Sequence, residues 1–310
     1  MKILITGAAG FIASHVADAY IAAGHDVVIV DNLSTGYQKY LNPKAAFYNM
    51  DICDPALEDV FRLENPEIVN HHAAQISVPL SIEDPLLDAQ SNVLGLINLL
   101  QNCAKFKTRK VIYISSGGAM YGEADEYPTS ETYNPKPLSV YAINKMVGEN
   151  YLYFYNHQYG LNYTVLRYAN VYGPRQVSHG EAGVVSLFIE KLLKGIIPTV
   201  YRYEGEPDGM IRDYVFVADI VQANLIALDK GENDAYNIGT NLETSTLQLY
   251  TEIARQMGID TPPLYGEARK GDLHRSQLNC QKARDILGWQ PQTTLAKGIK
   301  SVIEYFRSQE

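Results

Sequence analysis

The chain has 310 residues, room for one large domain or two unequal ones at about 150 residues each. Its 46% hydrophobic and 20% charged residues are those of an ordinary globular protein and exclude disordered, collagen-like and coiled-coil classes. A formal net charge of -9 repels phosphate backbones and anionic membranes, so neither nucleic acid nor a membrane surface is an expected partner.

In chain order, short β-branched runs alternate with longer helical patterns. Strands are expected at 3–6, 27–30, 46–50, 68–71, 111–115 and 163–167, and helices at 11–23, 55–63, 86–105 and 139–158. Gly24 stops the first helix and Gly160 the last. This alternation is how βαβ units in a doubly wound parallel α/β sheet announce themselves. After Gly173-Pro174-Arg175 the pieces shorten, with helices expected near 184–194, 219–228, 246–257 and 295–306. The organisation expected is therefore a domain over 1–173 and a smaller α/β lobe over 174–310, with some exchange of strands and helices between them. Cys53, Cys103 and Cys280 form neither a disulfide framework nor a zinc spacing and read as reduced core residues. No apolar run approaches the roughly 18 residues of a membrane helix, so a cytoplasmic protein is expected.

Thr6-Gly7-Ala8-Ala9-Gly10-Phe11-Ile12-Ala13 lies between the first strand and the first helix, where a sharp turn delivers a helix N-terminus to a pyrophosphate. Gly7 and Gly10 let the backbone turn and approach phosphate without a Cβ in the way. Asp31, at the end of the second strand, stands where a carboxylate accepts from ribose hydroxyls and repels a 2′-phosphate, which favours NAD over NADP. Asp51-Ile52 suits the adenine, although Asp51 reads equally well as a helix N-cap near Pro55.

Tyr141 and Lys145 are four residues apart, one turn along the same helix face. The spacing alone is no signal, because it recurs at Tyr40 and Lys44; that second pair, however, has Pro43 in its spacer, which breaks a helix. A tyrosine titrates near 10, so serving as a base near neutrality requires adjacent positive charge, which Lys145 and an oxidised nicotinamide both provide. A serine at the Ser115-Ser116 strand end could share the proton.

The glycine loop, Asp31-Asn32-Leu33-Ser34-Thr35-Gly36, His71-His72-Ala73-Ala74-Gln75, Ser115-Ser116, the Tyr141/Lys145 pair and Arg167-Tyr168-Ala169-Asn170-Val171-Tyr172-Gly173-Pro174-Arg175 together resemble the extended short-chain dehydrogenases/reductases, and among them the UDP-glucose 4-epimerases. The resemblance implies a Rossmann-type domain in which Asn32, Ser34, Thr35, Gly36, Ala73, Ala74 and Gln75 line the NAD, with Asn92, Ser115 and Tyr168 nearby. It implies a UDP-sugar substrate met by Asn170, held at uracil and ribose by Val184 and Tyr201, and gripped at the diphosphate by Arg212 and Arg269. The segments Arg212-Asp213-Tyr214 and Arg269-Lys270-Gly271-Asp272 match the family's patterns, and Asp272 joins the substrate set. Ser276 falls where the family faces the C2 substituent of the sugar, and a serine there leaves room for an N-acetyl group. The family's catalytic hydroxyl would land on Gly117, so the expected catalytic set is Ser116, Tyr141 and Lys145, with Gly117-Gly118 letting the strand end bend. The equivalent family helices pair into a four-helix bundle, which makes a homodimer the expected assembly. A sugar-nucleotide 4,6-dehydratase is the enzymatic alternative, but Gly118-Ala119 stand where that family has its Asp-Glu pair. A non-catalytic NAD-binding regulator is the alternative from another class, and such proteins commonly lose the Tyr/Lys pair.

Overall fold

β1 (Lys2–Thr6) and β2 (Asp26–Asp31) are apolar in their interiors because both faces of each strand are covered. Ile3, Ile5, Val27 and Ile29 enter one core, while Leu4, Val28 and Val30 enter another on the opposite side. That two-sided burial is why these strands read as continuous hydrophobic runs and not as alternating ones. The computed structural model describes residues 1–177, 183–269 and 271–309.

The main sheet continues with β3 (Ala46–Asn49), β4 (Ile68–His71), β5 (Lys110–Ser116) and β6 (Asn162–Tyr168), all parallel. The helices between them are α1 (Phe11–Ala22), α2 (Leu57–Glu64), α3 (Val78–Glu83), α4 (Pro85–Ala89), α5 (Gly95–Lys105), the short α6 (Gly117–Met120) and α7 (Val140–Tyr159). Gly160 ends α7 in the left-handed conformation, at φ 69°, and Ser139 caps its start by accepting from the Ala142 amide.

The expected single helix over 86–105 is three pieces. Gln90–Leu94 is a π turn between α4 and α5, and it carries Asn92 out of helical register toward the chain after β4. Asp51 is not the N-cap of α2, whose capping position is Ala56; its carboxylate instead accepts from the Cys53 amide at 2.8 Å and from Asn32 Nδ2 at 2.7 Å. Cys53 is also not a core residue, since only Cys103 and Cys280 are buried.

Past residue 173 come α8 (Val184–Leu193), α9 (Val217–Ala227), α10 (Thr246–Met257) and α11 (Leu295–Arg307). The remaining strands are short: β7 (Asn170–Tyr172), just before that point, then β8 (Thr199–Arg202), β9 (Ile211–Arg212), β10 (Tyr214–Phe216), β11 (Asp234–Ile238), β12 (Thr244–Ser245), β13 (Leu264–Glu267) and β14 (Arg275–Ser276). α8, α10 and α11 enclose their own core around Phe188, Ile189, Tyr250, Ile253 and Val302. β11 does not stay with them. It pairs with β6 in parallel, giving a seven-stranded sheet of order β11-β6-β5-β4-β1-β2-β3, and α9 packs against α1 on its face. The strand order reverses between β1 and β4, and the crevice beyond their carboxyl ends is where a doubly wound sheet binds its ligand.

Candidate active site

A cavity of about 360 Å³ opens at that crevice. Of the residues expected at the cofactor, Gly7, Gly10, Phe11, Ile12, Asp31, Asn32, Ser34, Thr35, Gly36, Asp51, Ile52, Ala73, Ala74, Ser115, Tyr141, Lys145 and Tyr168 all form its wall. Gln75 and Asn92 do not; they stand behind it, exchanging main-chain bonds in which the Gln75 amide donates to Asn92 Oδ1 and Asn92 Nδ2 donates to the Gln75 carbonyl, both at 3.0 Å. Met50, His72, Ile76, Ser91 and Gln176 were not singled out from sequence and line the cavity as well. His72 lies within the His71–Gln75 segment but is given no role there; burial drives its pKa down to about 3, so it is a neutral wall residue.

The donor set fits an unphosphorylated dinucleotide. Gly7 takes φ +76°, and a Cβ there would sit 2.7 Å from the Ala73 amide nitrogen, so only glycine lets the loops after β1 and β4 meet. No side chain caps α1 and its first turn holds no acid, which leaves its amides for a phosphate. Asp31 accepts from the Ala9 amide at 2.9 Å and the Leu33 amide at 2.8 Å, fixing the glycine loop to the end of β2. Among the described wall residues Lys145 is the sole Lys or Arg, so nothing basic stands at Asp31 to receive a 2′-phosphate.

β5 delivers Ser115 and Ser116 to the same cavity, facing α7. The Ser115 hydroxyl turns away to the Met120 sulfur at 3.9 Å, whereas Ser116 lines the cavity with Tyr141 and favours the ionised form of its phenol. Burial pushes the Tyr141 phenol up to about 12, with Ser116 opposing it. Lys145 Nζ lies 5.9 Å from the Tyr141 ring centre, donates to the Ile114 carbonyl at 3.1 Å, and is brought down to about 8 by burial. These groups can exchange a proton with a hydroxyl entering the cavity.

The remaining expected substrate residues, Asn170, Val184, Tyr201, Arg212, Arg269, Asp272 and Ser276, lie outside this wall, in the second lobe and its junction. Asn170 opens β7 beside Gly118, where a Cβ would come 3.2 Å from Asn170 Oδ1. Val184 begins α8 immediately after a left-handed Gly183. The Arg269 guanidinium stacks on Tyr201 at 4.6 Å, and the Arg269 and Asp272 carbonyls both accept from the Tyr203 hydroxyl. Arg212 and Ser276 are register partners across β9 and β14, with Ser276 buried. Lys270 lies outside the described residues.

Residues 3–239 match the model of the NAD dependent epimerase/dehydratase family. The chain is 44% identical over 307 residues to a putative UDP-glucose 4-epimerase of Methanocaldococcus jannaschii, covering 99% of this chain and 98% of the relative. The crystal structure of a UDP-glucose 4-epimerase with UDP-glucose from Thermotoga maritima superposes with a TM-score of 0.97 at 46% identity, covering 100% of this chain and 99% of that one. A UDP-N-acetylglucosamine 4-epimerase from Methanobrevibacter ruminantium M1, in complex with UDP-N-acetylmuramic acid, gives a TM-score of 0.94 at 31% identity over 100% and 99%.

Proposed function

The chain belongs to the NAD dependent epimerase/dehydratase family, and from that premise we propose that it inverts the C4 hydroxyl of UDP-hexoses, interconverting UDP-glucose and UDP-galactose. The observation that carries the reading is the meeting of Tyr141, Lys145 and Ser116 at the floor of a cavity whose other wall is built for NAD. NAD held along Gly7, Gly10, Asp31, Ala73 and Ala74 would supply a positive charge and a reversible hydride acceptor for C4.

Tyr141 takes the proton of the C4 hydroxyl and gives it back. A phenol buried to about 12 needs cationic help to do so, and Lys145 on the next turn is the chain's own contribution. Ser116 lines the same cavity and favours the phenolate, so it is the hydroxyl we assign to share the substrate proton. Arg212 and Arg269 hold the diphosphate, a task their planar forks suit, while the sugar keeps the freedom to present either face. Dehydration at C5 and C6 would need an acid or base on α6, which consists of Gly117, Gly118, Ala119 and Met120. Ser276 is a small side chain at the position the family turns to C2, which supports placing the N-acetylated pair within the substrate range.

We divide the chain into a cofactor domain over 1–173, completed by α9 and β11, and a sugar-nucleotide lobe over the rest. The assembly we propose is a cytoplasmic homodimer. Its support is an apolar surface on neighbouring helices: Leu86 on α4, and Ile143, Tyr153, Phe154 and Tyr159 on α7, are all exposed. Among the described residues no helix is long and apolar enough to cross a membrane. The deciding experiment for the activity is Tyr141→Phe: NAD stays bound and epimerisation of UDP-glucose disappears. Near wild-type turnover in that variant would overturn the mechanism.

A further inference from the structure

Asp88, on α4, is fully buried, and no step above uses it. Its Oδ2 accepts from Gln75 Nε2 at 2.7 Å, and its Oδ1 from Asn92 Nδ2 at 3.1 Å and Asn144 Nδ2 at 2.6 Å. Two oxygens that only accept are the mark of an ionised carboxyl. All three donors are neutral amides, so the charge is solvated by them and not cancelled. A buried carboxylate without a counter-charge is costly. The residue that follows Asn144 is Lys145, itself buried, and Asp88 is the charge that favours its ammonium form.

The three tethers come from separate segments: Gln75 from the loop that follows Ala73 and Ala74 in the cavity wall, Asn92 from the π turn, and Asn144 from the helix carrying Tyr141. Around Lys145 the other titratable groups are neutral or paired elsewhere. His71 and His72 are kept uncharged by burial, and Tyr113 on β5, whose ring centre lies 5.3 Å from Lys145 Nζ, is held protonated by burial. Glu149, one turn further along α7, is engaged by Arg167 at 2.6 Å.

We propose, resting on the reading of Tyr141 and Lys145 given above, that Asp88 is a positioning residue for the epimerisation: its carboxylate is the counter-charge that keeps the Lys145 ammonium beside Tyr141, and it fastens the catalytic helix to the cofactor wall. Removing a negative charge lowers the pKa of every titratable neighbour, and Asp88 holds up both Lys145 and Tyr141. Both limbs of the pH–rate profile therefore move toward acid when Asp88 is neutralised.

The test compares kcat and kcat/KM against pH for NAD-loaded wild type, Asp88→Asn, the double variant Asp88→Asn/Asn144→Asp, and Tyr141→Phe. In Asp88→Asn both limbs are expected to shift down by about one pH unit, with about a tenfold loss of kcat on the alkaline side. The double variant returns a carboxylate to the same pair of positions and restores the wild-type limbs. A fall by one factor at every pH, with unmoved limbs, overturns the proposal, since a purely structural brace would do that. Should Asp88→Asn not fold, the double variant decides: wild-type limbs support the counter-charge, and displaced limbs refute it. Inactive Tyr141→Phe beside unmoved limbs in Asp88→Asn sinks this proposal alone, whereas an active Tyr141→Phe sinks the reading on which it rests.

Discussion

Replacing Lys145 with Met should make the protein more stable and the enzyme nearly inert. Burial holds the ammonium at about 8 against an ordinary 10.5, which charges about 3 kcal/mol against the fold near neutrality. Because the folded value is the lower one, the unfolded chain binds the extra proton between those two values. The cost is therefore complete below about pH 8 and gone above about pH 10.5. Met keeps the unbranched stem and loses the bond to the Ile114 carbonyl, worth about 1 kcal/mol, leaving a net gain of about 2 kcal/mol at pH 7. Spread over 310 residues at about 2.1 cal/mol/K each, that raises Tm by about 3 °C. Calorimetric melts of nucleotide-free wild type and Lys145→Met at pH 7 and pH 10 read the effect without cofactor contacts entering. Turnover of UDP-glucose in the same variant should fall by about 10²–10⁴. A variant that melts with or below wild type at pH 7, or whose advantage persists unchanged at pH 10, would refute the claim that the fold bears a buried catalytic charge.

Ser276→Tyr should exclude UDP-N-acetylglucosamine while sparing UDP-glucose, read as separate kcat/KM values; equal loss of both would mean that the residue supports β14 and its pairing with Arg212. Gly7→Ala forces a left-handed residue and a contact at 2.7 Å with the Ala73 amide nitrogen, at a cost of at least about 1–2 kcal/mol, and should yield protein that loses NAD on gel filtration, seen as a drop in bound-nucleotide absorbance. Phe154→Asp on the exposed face of α7 should turn a dimer into a monomer by light scattering at micromolar concentration; an unchanged mass would move the interface elsewhere.

The parts of this fold that could be read from sequence are those that repeat a signal over several residues. Fully buried strands such as β1 and β2 have long β-branched runs, and α10 begins and ends where its periodicity does, at Thr246 and Met257. The two- and three-residue strands β7, β9, β10, β12 and β14 offer no window over which a period could show, so the second lobe was legible only as helices. The π turn was hidden because its residues remain helical in composition, while the bond between Asn92 and Gln75 that accompanies it spans separate segments. Asp88 reads as an ordinary polar position on an amphipathic helix, and only the approach of α7, through Asn144, buries it. The resemblance placed Gln75 and Asn92 at the cofactor, yet their side chains serve the frame behind it, a distinction that depends on rotamers and not on chain position.

The seventh strand of the main sheet is the last to be made. While β1 to β6 emerge from the ribosome, β6 presents an open row of amides and carbonyls, the kind of edge that recruits other chains. It stays open until Asp234–Ile238 has cleared the tunnel and can pair along Thr164 to Tyr168. Trp289 then seals the arrangement from still further along, its indole N–H donating to the Asp219 carbonyl in α9 at 2.9 Å. A nascent chain of this protein is thus most exposed to misassembly at the stage when its nucleotide site is nearly built, and the sugar-nucleotide lobe must be synthesised past β11 before that hazard closes.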